Sequence, residues 1–405
     1  MLMSQLDSSS QVSPTTRIAI IVTIVAANML ALAATDLYLP SVPYMPEIFG
    51  ASIEAVQFTL VTFSAGFAIS QILFGAAGDL WNRRWVLVGS LFVFVPASLW
   101  CAVSGTAESL ALARFAQGFS ASASAALTVP MIKPLFDEAR AVHAISVIGG
   151  IDAIIPAFAP ILGAWIFSQF GWEANFWVIV IAGVPLLIAA VIVVPDDRPE
   201  SHHTSIWPVL MGFFTLLKHK RFMGYAVSHG FSLGGLLAVV FSAPTLIVTH
   251  MDGGPAEYVY SQIMWVGVFL VAANTTGRLM RRVTADQLIW IGNWIQIASA
   301  LALLVYALLF PVHWLGFALG GVPYCIGLGL RGGAGFSRAI DAVPAYGARA
   351  SSLIIFFSMG LSAIGTGAVA PFLDNGVWSA GAAMLIMSIA ALAVLPLIKE
   401  KAGSP

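Results

Sequence analysis

Three charged side chains of this sequence lie inside long apolar segments: Asp36, Arg114 and Asp152. Such positions are unusual here, because only 9% of the residues are charged and 59% are hydrophobic. A charge near the centre of a lipid bilayer costs roughly 2.5–3.5 kcal/mol even on insertion scales, so it normally faces a protein interior or a water-filled cavity. We therefore expect these three residues to mark the path of an ion or a substrate.

The composition restricts the chain to the class of membrane proteins. Its 405 residues have a mean hydropathy of +0.91, whereas soluble domains are roughly 45–50% apolar and about 25% charged. The net charge of −1 gives no reason to expect a nucleic-acid partner. The two cysteines, Cys101 and Cys325, belong to different apolar segments and suggest neither a disulfide nor a metal site. The lipid bilayer is the predicted environment, and no metal or other cofactor is expected.

Twelve apolar segments are long enough to cross a bilayer as helices, which takes about 20 predominantly apolar residues. They occupy residues 17–42, 54–79, 85–104, 108–131, 142–169, 173–194, 222–249, 256–279, 286–310, 313–338, 345–373 and 377–398. The longest polar connection, residues 195–220, separates the first six from the last six. The sequence therefore predicts an all-α integral membrane protein with six-helix bundles at residues 17–194 and 221–398, joined by a linker.

Positive charges predict the orientation of these segments. Apart from Arg114, the Lys and Arg residues lie near the termini or near turns that follow even-numbered segments, as Arg83 and Arg84 do, and the opposite turns contain none. Because cytoplasmic loops are enriched in Lys and Arg, both tails, residues 1–16 and 399–405, are predicted to be cytoplasmic. Two groups of six segments are typical of secondary transporters that bind substrate between similar halves.

The turn after the second segment contains the motif Gly75-Ala-Ala-Gly-Asp79-Leu-Trp-Asn82-Arg83-Arg84. It resembles the signature G-x-x-x-D-x-x-G-R-R/K of the major facilitator superfamily, which gates the cytoplasmic side in that family. Asn82 replaces the glycine of the signature, and we expect it to adopt the left-handed conformation that Asn tolerates better than most residues. The resemblance implies a conformational role for Gly75, Asp79, Arg83 and Arg84 rather than substrate contact.

Two further motifs follow in the order that this family has. The fourth segment contains Arg114-Phe-Ala-Gln117-Gly118, which resembles the family's R-x-x-Q-G motif. The fifth contains Pro160-Ile-Leu-Gly163, which resembles the proline-glycine motif of antiporters. Each motif lies on the segment where the family has it.

A narrower resemblance is to the Bcr/CflA branch of drug:proton antiporters. It rests on Asp36-Leu-Tyr-Leu-Pro40, Gln57 and Gln71, Gly171-Trp172 with Asn175-Phe176, and Phe241-Ser-Ala-Pro244. It implies a twelve-span major facilitator fold in the bacterial inner membrane, where a proton gradient drives efflux of a small amphipathic molecule. One chain would hold both halves, so a monomer suffices. Arg331 departs from the pattern, which has a neutral polar residue there, and leaves the charge of the substrate open.

The resemblance and the rise of 1.5 Å per helical residue place Asp36 and Arg114 at similar depths on neighbouring helices. Asp152 would lie nearer the midplane. One interpretation is that Asp36, together with Asp152, binds a proton or the substrate, while Arg114 sets the protonation balance. The alternative is a structural ion pair between Asp36 and Arg114 that locks the bundle.

Other polar and aromatic side chains are softer candidates for the cavity. His229 could titrate near neutral pH or form a structural hydrogen bond. Arg331 could line the cavity or extend its guanidinium to the membrane interface. The remaining candidates, each of which could equally serve helix packing, are Tyr38, Gln57, Phe63, Gln117, Asn274 and Gln296.

The sequence contains neither H-E-x-x-H nor G-x-x-x-x-G-K-[ST], and its match to G-x-S-x-G, at residues 230–234, lies inside a predicted span. Energy should therefore come from an ion gradient or from the gradient of the substrate. The first hypothesis is proton-coupled, multidrug-type efflux. The second is export of an anionic metabolite, such as a carboxylate siderophore or an organic acid, because Arg114 and Arg331 would pair with carboxylates. The third is a non-transporting sensor or an intramembrane enzyme.

Overall fold

The computed structural model describes residues 13–198 and 206–398, and every regular element within these ranges is a helix. We label the twelve long helices α1 (Pro14–Asp36), α2 (Ile53–Leu80), α3 (Arg83–Ala102), α4 (Ala107–Ile132), α5 (Glu138–Phe170), α6 (Glu173–Val193), α7 (Lys220–His250), α8 (Pro255–Leu279), α9 (Ala285–Leu309), α10 (Trp314–Asp341), α11 (Gly347–Val369) and α12 (Trp378–Ala393). The predicted tail at residues 399–405 lies outside the described residues. So does the predicted N-terminal tail as far as residue 12.

Several helices begin at residues that the sequence marks as caps. Ser52, Thr106 and Thr284 each accept a hydrogen bond from the backbone N–H three residues later, and so cap α2, α4 and α9. In α9 the side chain of Gln287 also accepts a hydrogen bond from the Thr284 N–H, which completes a capping box. The predicted starts of these three spans differ from the observed starts by one residue.

The first span changes conformation earlier than the sequence predicts. α1 ends at Asp36, whereas the predicted span continues to residue 42. The chain then forms a 3-10 helix at Leu39–Tyr44 and a short α-helix at Met45–Phe49. Pro40 and Pro43 explain the change, because proline lacks the N–H that an α-helix interior requires. Asp36 therefore lies at the end of an α-helix and not within one.

Ten helical segments of the described residues are long and apolar enough to cross a membrane. The two remaining long helices are α4 and α10. They contain the buried arginines Arg114 and Arg331 together with many serines or glycines, which lower their hydropathy. Both arginines are buried against neighbouring helices, which shields them from lipid.

The two halves repeat one packing pattern. In the first half, α4 packs against α2 and α3, α6 packs against α3, and α1 contacts α4, α5 and α6. In the second half, α10 packs against α8 and α9, α12 packs against α9, and α7 contacts α10, α11 and α12. The main contacts between the halves are α2 with α11 and α5 with α8. The two pairs are equivalent, because α2 corresponds to α8 and α11 corresponds to α5 in the repeat. This is expected for two similar six-helix bundles.

Residues 195–220, predicted as a polar linker between the bundles, are partly helical. They contain a 13-residue helix, Ile206–Lys218, which we call the linker helix. Its Val209, Phe213 and Leu216 are buried in a cluster with side chains of α2 and α11. The linker helix is too short to span a bilayer, so the length criterion for a membrane span does not predict it. The part of the linker at residues 199–205 lies outside the described residues.

Candidate functional site

A cavity of about 230 Å³ lies between the two halves of the molecule. α1, α2 and α5 contribute to it from the first half, and α7, α8, α10 and α11 from the second. Most of its walls are aliphatic or aromatic, with Phe63, Phe241, Trp265 and Phe269 among them. Asp36 is the single charged residue among the described residues that line it. Such a cavity suits a largely apolar ligand that carries few polar groups.

Asp36 reaches the cavity because of its place on α1. Leu32 and Thr35 line the same wall, since residues three and four positions apart share one face of a helix. The Asp36 side chain is almost completely buried. None of the described residues donates a hydrogen bond to its carboxylate, although Arg114 interacts with it electrostatically. The carboxyl group is therefore available to a proton or to a bound ligand.

Arg114 lies behind the cavity wall and is fully buried. Its guanidinium carbon is 4.0 Å from the ring centre of Phe63 and 4.6 Å from that of Tyr38, which are cation–π distances. Its Nη1 donates hydrogen bonds to the Ala34 carbonyl oxygen at 2.8 Å and to Gln117 Oε1 at 2.5 Å. Within the described residues its Nε and Nη2 have no hydrogen-bond partner. Phe63 thus contacts the cation on one side and the cavity on the other.

The ion pair between Asp36 and Arg114, which the sequence leaves open as an alternative to a functional role, is not formed. No oxygen–nitrogen distance between the two side chains is within 4.0 Å, whereas five other pairs among the described residues meet that limit. The aromatic rings and the Ala34 carbonyl hold the guanidinium instead. The two charges therefore do not neutralise each other by direct contact.

Asp152 lies on α5, beside the cavity residue Ala153. Its Oδ1 accepts a hydrogen bond of 2.8 Å from Asn28 Nδ2 on α1. Asn28 precedes Asp36 by eight residues, which is about 12 Å along a helix. The two carboxylates are thus arranged along one side of α1, and only Asp36 lines the cavity.

Arg331 lies in a polar cluster inside the second half. Its Nη1 donates a hydrogen bond to Asn293 Oδ1 at 2.5 Å, and its Nη2 donates one to Ser228 Oγ at 2.6 Å. Gln296 Oε1 is 3.5 Å from Nη1 and also accepts a hydrogen bond from Ser232 Oγ at 2.6 Å. Arg331 is 1% exposed and does not line the cavity. Neither of the two positions that the sequence leaves open for Arg331, on the cavity wall or at the membrane interface, is therefore observed.

Of the softer candidates, Phe63 lines the cavity and the others do not. Tyr38 and Gln117 surround Arg114. His229 is enclosed in the second half with its ring centre 6.0 Å from that of Phe336. Asn274 is exposed on the outer surface of α8, where it donates a hydrogen bond to its own helix.

Gln57 joins the two halves directly. Its Nε2 donates a buried hydrogen bond of 3.0 Å to the carbonyl oxygen of Phe241 on α7. Gln57 lies near the start of α2, at the end of the molecule where α1 gives way to the 3-10 helix. We call this end the Gln57 end.

The motif residues at the other end of α2 form ion pairs with distant parts of the chain. Asp79 pairs with Arg349 at the start of α11, at 3.1 Å, and so also joins the two halves. Arg83 pairs with Asp197 of the linker at 3.2 Å. Arg84 pairs with Asp196 at 3.2 Å and also contacts the Val191 carbonyl oxygen. We call this end the Asp79 end.

Asn82 does not adopt the left-handed conformation that the sequence suggests. Its φ is −59°, and it caps α3 by accepting a hydrogen bond from the Arg84 N–H at 3.1 Å. The same Oδ1 accepts a hydrogen bond from the Asp197 N–H at 3.3 Å. The side chain thus makes two backbone contacts that the glycine of the signature lacks.

Comparison with known proteins decides the family. Residues 24–366 match the family model described as Major Facilitator Superfamily. The chain belongs to the Major Facilitator Superfamily. Its fold agrees with this membership: the solved structure of a mutant of the nucleoside transporter NupG superposes with a TM-score of 0.67 at 17% identity, covering 95% of this chain and 100% of that one.

Several drug-resistance proteins are relatives of this superfamily member. The bicyclomycin resistance protein homolog of Haemophilus influenzae is 28% identical over 346 residues, 82% of this chain and 84% of that protein. The multidrug resistance protein MdtL of Shewanella oneidensis is 25% identical over 323 residues, 79% of this chain and 80% of that protein. The MFS-type transporter YdgK of Bacillus subtilis is 33% identical over 213 residues, 52% and 53% of the two chains.

The chain is thus a multi-pass membrane transporter and not an enzyme, and the resemblance to the Bcr/CflA type of antiporter is confirmed. Within the described residues no group of three or more His, Cys, Asp or Glu side chains could hold a metal ion.

The superfamily's glycine motifs lie where helices approach closely. A methyl group on Gly163 of the antiporter motif would overlap the backbone of Leu37, just after α1. A methyl group on Gly118 of R-x-x-Q-G would overlap the backbone of Phe63. Pro160 stands one turn before Gly163 inside α5. Both glycines therefore set the positions of residues next to the Asp36–Arg114 region.

The second half contributes site residues that the sequence does not reveal. Tyr258 and Gln262 lie one turn apart on α8, and Gln262 lines the cavity. Tyr258 interacts electrostatically with Asp36 across the interface between the halves. Within the described residues, the Tyr258 hydroxyl and Gln262 Oε1 are buried without hydrogen-bond partners. Each offers a single polar group, which in the sequence resembles an ordinary interhelical contact. Only the assembled halves bring Gln262 to the cavity and Tyr258 near Asp36.

Proposed function

We propose that this transporter exports small amphipathic molecules in exchange for protons across the bacterial inner membrane. The Asp79 end, with its arginines, would face the cytoplasm, and both termini would lie on that side. One chain contains both halves of the cavity, so a monomer would be the functional unit.

The observation that carries this proposal is the lining of the cavity. Its aliphatic and aromatic walls would hold the apolar part of a drug-like molecule, and Asp36 would bind either a proton or a positively charged group of the substrate. Because the Asp36 carboxylate accepts no hydrogen bond from the described residues, neither occupant has to displace a protein partner. Because a proton and a positively charged substrate would compete for the Asp36 carboxylate, binding of one would release the other. This competition would couple substrate export to proton entry.

Arg114 and Asp152 have distinct parts in this scheme. When Asp36 has lost its proton and holds no substrate, the Arg114 cation behind Phe63 supplies compensating charge. The Asp152–Asn28 pair lies further towards the Asp79 end. Asp152 would serve as a second proton site between Asp36 and the cytoplasm, with Asn28 holding its orientation.

The relatives named for bicyclomycin resistance and multidrug resistance support an amphipathic drug-like substrate. The alternative, an anionic metabolite, has less support. No lysine or arginine of the described residues lines the cavity, and Arg331 is bound within its own polar cluster. A carboxylate substrate would therefore meet Asp36 without a matching cation on the wall.

Asp36→Asn tests the coupling. In proteoliposomes with a pH gradient we expect this variant to lose proton-driven substrate transport, because an amide neither releases a proton nor carries a charge. Asp286→Asn is the matched control, since Asp286 pairs with Arg338 at the Asp79 end, away from the cavity. It should transport at the wild-type rate. Full proton-driven transport by the Asp36 variant would exclude the assignment of Asp36 as the coupling residue.

A further inference from the structure

The linker helix is apolar on two opposite sides. Its inner side packs Val209, Phe213 and Leu216 against α2 and α11. Its outer side carries Trp207, Met211, Phe214 and Leu217, whose exposed fractions are 63%, 46%, 55% and 42%. Spacings of three and four residues place these four side chains along one stripe. A helix that is apolar all round is normally buried or embedded in lipid, so a second apolar medium is expected on the outer side.

The position of the helix along the membrane normal follows from its neighbours. Only His219 separates Lys218, the last residue of the linker helix, from Lys220, the first residue of α7. Its Phe213 ring lies 3.7 Å from the place that a Cβ on Gly75 would occupy. Gly75 precedes the end of α2 by five residues, which is about 7.5 Å inside that end. The linker helix therefore lies beside the last turns of a membrane span and not beyond them.

The charges around this helix match a phospholipid surface. Lys218 and Lys220 are exposed at its C-terminal end, and tryptophan, as at position 207, is enriched at membrane interfaces. Exposed apolar residues with lysines nearby are typical of helices that lie in the boundary between headgroups and acyl chains. Such lysines are attracted by anionic lipids of the cytoplasmic leaflet.

We propose that the outer side of the linker helix inserts into the headgroup–acyl boundary of an anionic phospholipid bilayer. The apolar stripe then contacts acyl chains, and the two lysines contact headgroup phosphates. The inner side of the helix carries Gly212, where a Cβ would meet the guanidinium of Arg349. Arg349 is the partner of Asp79. A lipid-anchored linker helix therefore supports the ion pair that joins the two halves at this end.

Spin labelling of the full chain in proteoliposomes tests this insertion. A label is placed at Phe214→Cys in a Cys101→Ser, Cys325→Ser background, and its collisions with oxygen and with a water-soluble nickel chelate are compared. Ile181→Cys, on the exposed face of α6, is the lipid control, and Arg281→Cys, in the turn after α8, is the aqueous control. With phosphatidylglycerol present, we expect the label at 214 to be oxygen-accessible and nickel-protected, as at 181.

Two results would overturn the insertion. Nickel accessibility equal to that at Arg281→Cys would mean that the stripe faces water. Protection from both reagents would mean that a protein, such as a second copy of this chain, covers it. The attraction of the two lysines to anionic headgroups is tested by comparing two lipid compositions. The label at 214 should lie deeper with phosphatidylglycerol than with pure phosphatidylcholine. The double change Lys218→Gln, Lys220→Gln should remove this difference in depth. Equal depth in the two lipids would refute the preference for anionic headgroups.

Discussion

Four charges within the long helices, three of them buried and Asp152 half-buried, differ in what surrounds each of them. Asp36 faces the cavity, Asp152 is held by Asn28, Arg114 lies among aromatic rings, and Arg331 is bound by neutral polar groups. A charge in a membrane is stabilised by its immediate partners, so these environments imply different functions. Asp36 lines the cavity and is accessible to a ligand, whereas both terminal nitrogens of Arg331 donate hydrogen bonds within its own half.

Arg114→Lys should reduce proton-driven transport even though it keeps the positive charge. A lysine ammonium lacks the planar guanidinium that stacks on Phe63 and Tyr38, and a desolvated cation–π contact contributes about 2 kcal/mol. Transport rate and thermal stability would be measured in purified protein. Arg338→Lys, at a partly exposed ion pair, is the control and should have little effect. Wild-type transport by Arg114→Lys would show that charge alone suffices at this position.

Arg331→Gln should lower stability while leaving substrate preference unchanged. The change removes hydrogen bonds to Asn293 and Ser228, and leaving such buried groups unpaired costs about 1–3 kcal/mol. Because Arg331 lies away from the cavity, the ranking of cationic, neutral and anionic ligands in a ligand-stability screen should stay as in the wild type. A selective loss of anion binding would instead favour the anionic-metabolite alternative.

At the scale of helices, the sequence predicts most of the fold, because the bilayer demands long apolar runs. The caps at Ser52 and Thr284 mark helix starts that the hydropathy already suggests. The linker helix escapes prediction because 13 residues form no span. Side-chain contacts such as that of Asn28 with Asp152 cannot be predicted from the sequence for another reason. They depend on how each helix is rotated about its axis. That rotation is determined by packing in the assembled bundle, and no single segment encodes it.

Gly163→Ala should disrupt the contact between α5 and the end of α1. The added methyl group would overlap the Leu37 backbone. Either α5 or the end of α1 must therefore move to relieve the overlap. Because Leu37 follows Asp36 directly, the carboxylate moves with it. Gly149→Ala in the same helix is the matched control, since nothing lies within 4 Å of its added methyl group.

We expect Gly163→Ala to lose most of its transport and to melt at a lower temperature, and Gly149→Ala to keep both near the wild-type values. Transport assays in vesicles and thermal melts of the purified variants would measure these effects. Equal behaviour of the two variants would show that the close approach at Gly163 does not control the position of Asp36.

At the scale of the whole molecule, the cavity lies between two contacts that join the halves. Gln57 with Phe241 connects them at one end, and Asp79 with Arg349 connects them at the other. Alternating access requires that the halves separate at one end at a time. Each contact should therefore stabilise the closed form of its own end, and removing one should shift the balance towards opening there.

Cys325 offers a native probe of this balance, because its thiol lines the cavity and is 1% exposed. In Asp79→Asn, the loss of a partly exposed ion pair worth up to about 1 kcal/mol should raise the population open at the Asp79 end by up to about fivefold. A membrane-impermeant maleimide added at that end should then label Cys325 faster than in the wild type. Gln57→Leu should raise labelling from the Gln57 end instead. Cys101, which is buried away from the cavity, and Cys325→Ser give the background. If both variants raised labelling from the same end, the two contacts would not act as separate gates.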